Sequence, residues 1–391
     1  MNQTQQGQKL AQIRTYLDEL MERSTPSQPV WNQEAVLENK PPQWSYIDGC
    51  MLMAVQKLYE LTGEQAYFNF LENFIDFYIN EEGEILGYDY EAMNSDSINE
   101  GKVLFFLYQH TNKEKYRKAL DRLYQQVRHQ PKTPAGSFWH KAIYPNQVWL
   151  DGLYMVQPFY TAYELAWNEG QQLPEIMLQF ANVQKHMKDD KTGLLYHAFD
   201  ESKKAFWANP ATGCSASFWS RSLGWYAMAL VDTIELLPQD SPEKAVLTEY
   251  LVELVAALVP YQEATTGLFY QVTDQGSRAG NYLETSGSCA IAYTFLKGAR
   301  LELLPTEFTQ RGQRLLENIV AEKLTHDNDQ WRLKDICLVA GVGGWMVKET
   351  MKNVMEPMLT TSPSRKSTMT PKELAPWCTL TVNTWKAKTS Q

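Results

Sequence analysis

Apolar residues return with helical spacing in almost every long segment of the chain, and strand-like alternation is scarce. Two kinds of helix take turns. The first follows a Gly-containing, aromatic-rich loop and is apolar nearly all round: WSYIDGCMLMAVQKLYEL from Trp44, INEGKVLFFLYQHT from Ile98, DGLYMVQPFYTAYELAW from Asp151, WSRSLGWYAMALVDTIELLP from Trp219 and ETSGSCAIAYTFLKGARLELL from Glu284. The second carries charge on one face, as in EQAYFNFLENFIDFYI, KEKYRKALDRLYQQVRH, LPEIMLQFANVQKHM, SPEKAVLTEYLVELVAAL and TEFTQRGQRLLENIVAEKL. Helices apolar all round belong inside, and those with one charged face belong outside. Short turns of the TGEQ or TNKE type join several pairs and predict antiparallel hairpins. The glycines Gly49, Gly101, Gly152, Gly224 and Gly287 mark the inner helices at intervals of 52, 51, 72 and 63 residues. Five inner–outer pairs and an amphipathic N-terminal helix (Gln8 to Arg23) predict an all-α fold, a closed toroid of six hairpins whose last inner helix is missing. An α-solenoid is the alternative, although its repeats are shorter and more regular. In the toroid, the loops that open the inner helices gather at one end and line a cleft.

The chain has 391 residues, 44% hydrophobic and 21% charged, enough for one large barrel or two ordinary domains. Its 12 Trp, 21 Tyr and 15 Phe exceed what packing alone calls for, and rings that line a cleft are one common reason. A net charge of −10 argues against nucleic acid as a partner, while a local Arg/Lys pair can still hold a small acidic ligand. The five cysteines are scattered and never in CxxC spacing, which fits free thiols in a reducing compartment. The N-terminal stretch lacks the basic start and apolar run of a signal peptide, and no window approaches 18 uncharged apolar residues. The expectation is a soluble cytoplasmic protein with no membrane partner. The six histidines show neither HxxxH nor HExxH spacing, and no GxGxxG or P-loop string is present, so no metal or cofactor is expected. Nothing in the pattern bears on oligomeric state.

The cleft-forming loops hold the polar and aromatic residues that stand out: Trp44, Tyr46, Asp96, Asn99, His140, Lys141, Asn146, Trp149, Asp151, His197, Trp219, Arg221, Trp225 and Glu284. Asp151 is the most conspicuous, a carboxylate inside PNQVWLDGLYM, where a charge among apolar groups is costly unless something needs it. On local pattern alone, Asp151 reads first as an N-cap before Gly152-Leu153, and Asp96 could cap the helix holding Gly101 and Lys102. His197 fits a satisfied surface residue as well as a ligand contact. Asp200, Glu201 and the charges from Lys188 to Lys191 read as solvated loop residues.

Five pieces carry a family resemblance: SDSINEGK (Ser95 to Lys102), FWHKAIYPNQVWLDGLYMVQPFY (Phe138 to Tyr160), FWSRSLGWYAMALVD (Phe218 to Asp232), NYLETSGS (Asn281 to Ser288) and VAGVGG (Val339 to Gly344). Spread from about Trp44 to Gly344, the chain resembles glycoside hydrolase family 105, the unsaturated rhamnogalacturonyl hydrolases, a close relative of family 88, the unsaturated glucuronyl hydrolases. The resemblance implies an (α/α)6 barrel over residues 1–344, in agreement with the hairpin count. It also implies a small unsaturated oligosaccharide as substrate. Pectin lyases leave a uronic acid with a 4,5 double bond, a vinyl ether that can be hydrated: an acid protonates C4, positive charge develops at C5 and the ring oxygen, water adds there, and the hemiketal collapses to release the neighbouring sugar. By motif match Asp151 is the acid and Asp96 the second carboxylate. An acid working near neutral pH must hold its proton, which desolvation by Trp149, Leu150 and Tyr154 favours. Substrate contacts carried over are His140 and Lys141 (FWHK), His197 (LLYHAF), Trp219, Arg221 and Trp225 (FWSRSLGW), and Tyr46 (WSYIDG). Arg221 between two Trp suits a carboxylate. This chain reads Arg221-Ser222-Leu223-Gly224-Trp225 where the family more often shows RGNGW, which bears on loop geometry and subsite selectivity. Rival readings are a glucuronyl-specific hydrolase acting on glycosaminoglycan-type fragments, a sugar epimerase on a similar toroid, and a degenerate sugar-binding relative.

After Gly344 the character changes. The stretch TTSPSRKSTMTPKELAPW is rich in Ser, Thr and Pro and has little helical period. Family members continue past GVGG with a motif resembling VND-x-KGVGP that opens the sixth inner helix, and this chain lacks it. Back-translation in the frame joining each codon's third base to the next two permits KVNDDAKGVGPLVHAYSEYLE from Lys366 to Lys386. The expectation is a low-order tail over 345–391 produced by a frameshift near Gly344-Trp345, with a divergent natural tail as the alternative.

Overall fold

A computed structural model of the chain describes residues 3–32, 35–36, 39–337, 341–342 and 366–367. The inner helices are α2 (Tyr46–Thr62), α4 (Lys102–Thr111), α6 (Leu150–Trp167), α8 (Ser220–Leu236) and α10 (Thr285–Arg300). Each is followed by an outer one: α3 (Gln65–Tyr78), α5 (Glu114–His129), α7 (Leu173–Met187), α9 (Pro242–Leu258) and α11 (Glu307–Lys323). The inner–outer distinction read from the pattern holds: α8 buries every residue from Ser220 to Ile234, whereas α5 buries one face and leaves its Arg and Glu outside. Helix α1 (Gln3–Glu22) lies against α11 and so supplies the sixth outer position.

Neighbouring inner helices pack in order, α2 and α4 through a 3-10 segment (Ser95–Gly101), then α6, α8 and α10. Among the described residues no comparable packing joins α10 back to α2. The architecture is therefore an α/α barrel with five inner helices described. The expected tail and its motif, with most of VAGVGG, lie outside the described residues. From that stretch only Lys366–Ser367 is described, as a strand antiparallel to Ile336–Cys337.

The loops opening the inner helices are tied by two-residue and three-residue ladders. Strand β1 (Gln147–Trp149) pairs with β2 (Ala198–Asp200) and runs straight into α6, and β3 (Phe269–Tyr270) pairs with β4 (Leu283–Glu284), which runs into α10. Glu284 caps α10, its carboxylate accepting from the Ser286 and Gly287 backbone N–H groups. Two capping expectations fail. Trp149 occupies the N-cap of α6, leaving Asp151 in the first turn, and Asn94, not Asp96, caps the 3-10 segment.

Candidate active site

The loops at the N-terminal ends of the inner helices enclose a cavity of about 420 Å³. Asp96, His140, Lys141, Asp151, Trp219, Arg221, Trp225 and Tyr46 all line it, together with Tyr144 and Trp149. His197 does not. It is 1% exposed and lies behind Asp151, wedged between the rings of Trp149 (5.4 Å) and Trp219 (4.8 Å).

Asp96 sits in the 3-10 segment, with Lys141 Nζ 2.8 Å from one carboxylate oxygen and His140 Nε2 3.6 Å from the other. Burial opposes ionisation of Asp96, but the Lys141 charge, with a contribution from His140, outweighs it and holds the carboxyl below its usual range. The pairing acts on Lys141 in the opposite sense: desolvation works against its charge, and Asp96 more than restores it. His140 pairs through Nδ1 with Ser95 Oγ at 2.8 Å and stacks on Trp149 at 4.6 Å, and Tyr144 also stacks on Trp149 at 5.3 Å. Desolvation brings the His140 pKa down to about 4, so its ring is neutral at neutral pH.

Asp151 projects from the first turn of α6. Its Oδ2 is buried with His197 Nε2 3.3 Å away, yet among the described residues no well-aligned hydrogen bond reaches it. Gly152 explains how α6 comes so close to the Asp96 segment, because a Cβ there would stand 3.2 Å from His140 Nδ1 and 3.4 Å from Ser95 Oγ. On the opposite wall, Arg221 lies 4.5 Å over the Trp219 ring and donates to the Cys337 carbonyl and, more weakly, to Ser286 Oγ. Trp225 stacks on Tyr154 at 4.9 Å and meets Tyr46 edge-on at 6.4 Å. The cavity thus sets the carboxylates of Asp96 and Asp151, the cations Lys141 and Arg221 and a frame of rings around one space, a composition suited to an acidic sugar.

The model of Glycosyl Hydrolase Family 88 matches residues 20–358. The chain belongs to that family. A Clostridium acetobutylicum ATCC 824 glycoside hydrolase from family 105 is 39% identical over 92% of this chain and 98% of its own, with a TM-score of 0.83, which bears out the family 105 resemblance. A 24.9 kDa protein in the picA locus of Rhizobium radiobacter is 42% identical over 40% of this chain and 68% of its own length. The unsaturated rhamnogalacturonyl hydrolase YesR of Bacillus subtilis (strain 168) is 24% identical over 71% of this chain and 77% of its own length. The fold and the glycosidase class follow from family membership, and no described helix is long and apolar enough to cross a membrane.

This family 88 glycosidase also carries polar groups that the sequence reading passed over. Asp48, in the first turn of α2, lines the cavity, is buried, and accepts from Trp31 Nε1 at 2.6 Å. Burial pushes its pKa up to about 7. Glu100 lies buried nearby and accepts the Ser45 N–H at 2.8 Å; burial and then the Asp48 charge push its carboxyl well above the ordinary range. Each stands at a helix start, Asp48 in WSYIDG and Glu100 in the polar stretch SDSINEGK. Asp200 corrects the solvated-loop expectation: it is buried, and its carboxylate accepts from the backbone of Ser202, Lys204 and Ala205, pinning the loop after β2.

Proposed function

We propose that the chain is an unsaturated rhamnogalacturonyl hydrolase, hydrating the 4,5 double bond of an unsaturated galacturonyl residue at the non-reducing end of a lyase-derived disaccharide. The observation that carries this reading is the unequal pair of carboxylates in one cavity. Asp96, held ionised by Lys141, is a poor proton donor, whereas Asp151, its Oδ2 buried beside His197, has no Lys or Arg paired with it among the described residues. Asp151 delivers the proton to C4. Charge then develops at C5 and the ring oxygen, water adds at C5, and Asp151 takes the proton from that water. The hemiketal so formed opens and releases the neighbouring sugar. General acid–base work of this kind contributes about 10²–10⁴ in rate.

Asp96 orients the attacking water or the sugar hydroxyls. Arg221, turned toward the cavity over Trp219, takes the uronate carboxylate, and Lys141 adds positive potential on the facing wall. Trp219, Trp225 and Tyr46 offer ring surface to the sugar, and His140 supplies a neutral hydrogen-bonding edge. His197 serves by holding Asp151, since it stands behind the acid. The likeness to YesR supports a rhamnose-linked substrate, and cysteines that are scattered and never in CxxC spacing fit a reducing, cytoplasmic setting.

The test is a paired assay, following release of sugar from rhamnose-linked and from hexosamine-linked unsaturated uronates. The reading expects faster turnover of the rhamnose-linked compound. Preference for the hexosamine-linked one would transfer the chain to the glucuronyl-specific reading, and binding without turnover of either would mark a degenerate relative.

A further inference from the structure

Lys102 plays no part in the chemistry above, yet its surroundings are unusual. It opens α4 directly after the 3-10 segment that carries Asp96. Its amine donates to Asn99 Oδ1 at 2.8 Å and to the Tyr154 carbonyl at 2.6 Å, and lies 3.4 Å from the centre of the Tyr154 ring. In an α-helix the carbonyl of residue 154 accepts the N–H of residue 158, but that residue in α6 is Pro158, which has none. The lysine donates where the proline cannot. Asn99 then carries the link further, its side-chain amide donating to the Tyr46 carbonyl at 3.0 Å and to Cys50 Sγ at 3.3 Å.

One amine and one amide therefore join three elements: the segment of Asp96, the helix whose first turn holds Asp151, and the helix start bearing Tyr46. Above the junction, Tyr154 stacks on Trp225. Keeping an amine here is costly. Desolvation brings its pKa down to about 7, although Asp232 and Cys50 pull the other way. Lys102 does not line the sugar cavity; it borders a separate hollow with Gln56, Tyr59 and Gln109 from the later turns of α2 and α4.

We propose that Lys102 is a positioning residue for the hydration reaction, fixing the spacing between Asp96 and Asp151 by bonding the Asn99 side chain and the Tyr154 carbonyl. The inference rests on the function proposed above. A misplacement of about 1 Å can cost about 10²-fold in rate, so a clamp beneath the two acids acts on kcat more than on KM.

The experiment uses the full chain with Lys102→Met, Lys102→Arg and the double variant Lys102→Met/Pro158→Ala. It reads kcat and KM on an unsaturated rhamnogalacturonan disaccharide, melting temperature, and hydrogen exchange of peptides covering 95–101 and 150–156. Lys102→Met is expected to lower kcat about 10- to 100-fold with KM changed less than about threefold, and to speed exchange in both peptides but not in α5 or α9. Lys102→Arg, which keeps a donor, retains more of kcat. The double variant gives the Tyr154 carbonyl a backbone N–H again and recovers melting temperature, but not kcat. Parental kcat in folded Lys102→Met, or full recovery of kcat in the double variant, overturns the proposal. Where Lys102→Met alone does not fold, Lys102→Arg and the double variant carry the same decision. A parent that leaves the disaccharide unchanged refutes the functional reading instead, and exchange then decides: unaltered protection in the Lys102 variants overturns the clamp.

Discussion

Asp96 and Asp151 are the same side chain in different company, and the tasks proposed for them differ with what stands beside each. For Asp96 the deciding neighbour is Lys141, 2.8 Å away. Replacing it by methionine removes the charge that outweighs desolvation, so the Asp96 pKa rises. Because the parent carboxyl ionises below the usual range, the parent keeps the charge on Asp96 well into acid. Lys141→Met is therefore expected to lose activity at a higher pH than the parent, a shift of the acid limb of the kcat/KM profile to the right. A limb that stays in place would separate Asp96 ionisation from turnover. Asp151 was legible in the sequence because a lone carboxylate stood among Trp149, Leu150 and Tyr154. His197 was only half legible: its motif drew attention, but nothing in LLYHAF tells whether the ring faces the cavity or backs the acid. Asp48 and Glu100 went unread because each follows an ordinary helix-start pattern, and only tertiary packing brings the two carboxyls together.

The helices hold their spacing through glycine as much as through side chains. A Cβ on Gly287 of α10 would come within 2.7 Å of the Ser220 carbonyl carbon and of the Arg221 nitrogen, both backbone atoms at the start of α8. Backbone does not swing aside, so Gly287→Ala is expected to cost about 1–3 kcal/mol of stability and to displace Arg221. Denaturant unfolding reads the first effect and the KM for the uronate the second; parental values for both would mean that the two helices slide without consequence. The marker glycines, legible as a recurring interval, thus turn out to be points of close approach, Gly224 and Gly287 between α8 and α10, and Gly49 and Gly152 against the 3-10 segment. Inner and outer helices were legible because apolar residues surround one kind and stripe the other. The 3-10 geometry of Ser95–Gly101 was not, since the expected helix start at Ile98 falls inside it. Nor was the wall formed by Asn32, Lys40 and Gln43, whose place at the cavity is set by packing and leaves no period.

Across the whole barrel, the buried Asp48 and Glu100 tie stability to pH. Both carboxyls are raised in the folded chain, Asp48 to about 7, so between the ordinary carboxylate range and about pH 7 the folded state binds protons that the unfolded state has released. Their contribution is present in acid and lost as pH rises through about 7. The melting temperature of Asp48→Asn, which can still accept from Trp31, is expected to fall less than that of the parent between about pH 5 and about pH 8; equal slopes would contradict the assignment. We infer further that a coding sequence restored to the alternative frame after Gly344 supplies the sixth inner helix. With about five large apolar side chains buried at about 1.5–3 kcal/mol each, such a helix adds on the order of 7–15 kcal/mol, comparable with whole-domain stability. The restored chain is expected to melt well above the present one, and equal melting would dismiss the idea. The most direct trial of the central claim compares Asp151→Asn with the parent on an unsaturated rhamnogalacturonan disaccharide, following loss of double-bond absorbance and released sugar together. The account predicts that the parent loses absorbance one-for-one with sugar released and that the folded variant is slower by about 10²-fold or more. Sugar released while the double bond persists, or a variant as fast as the parent, would contradict it.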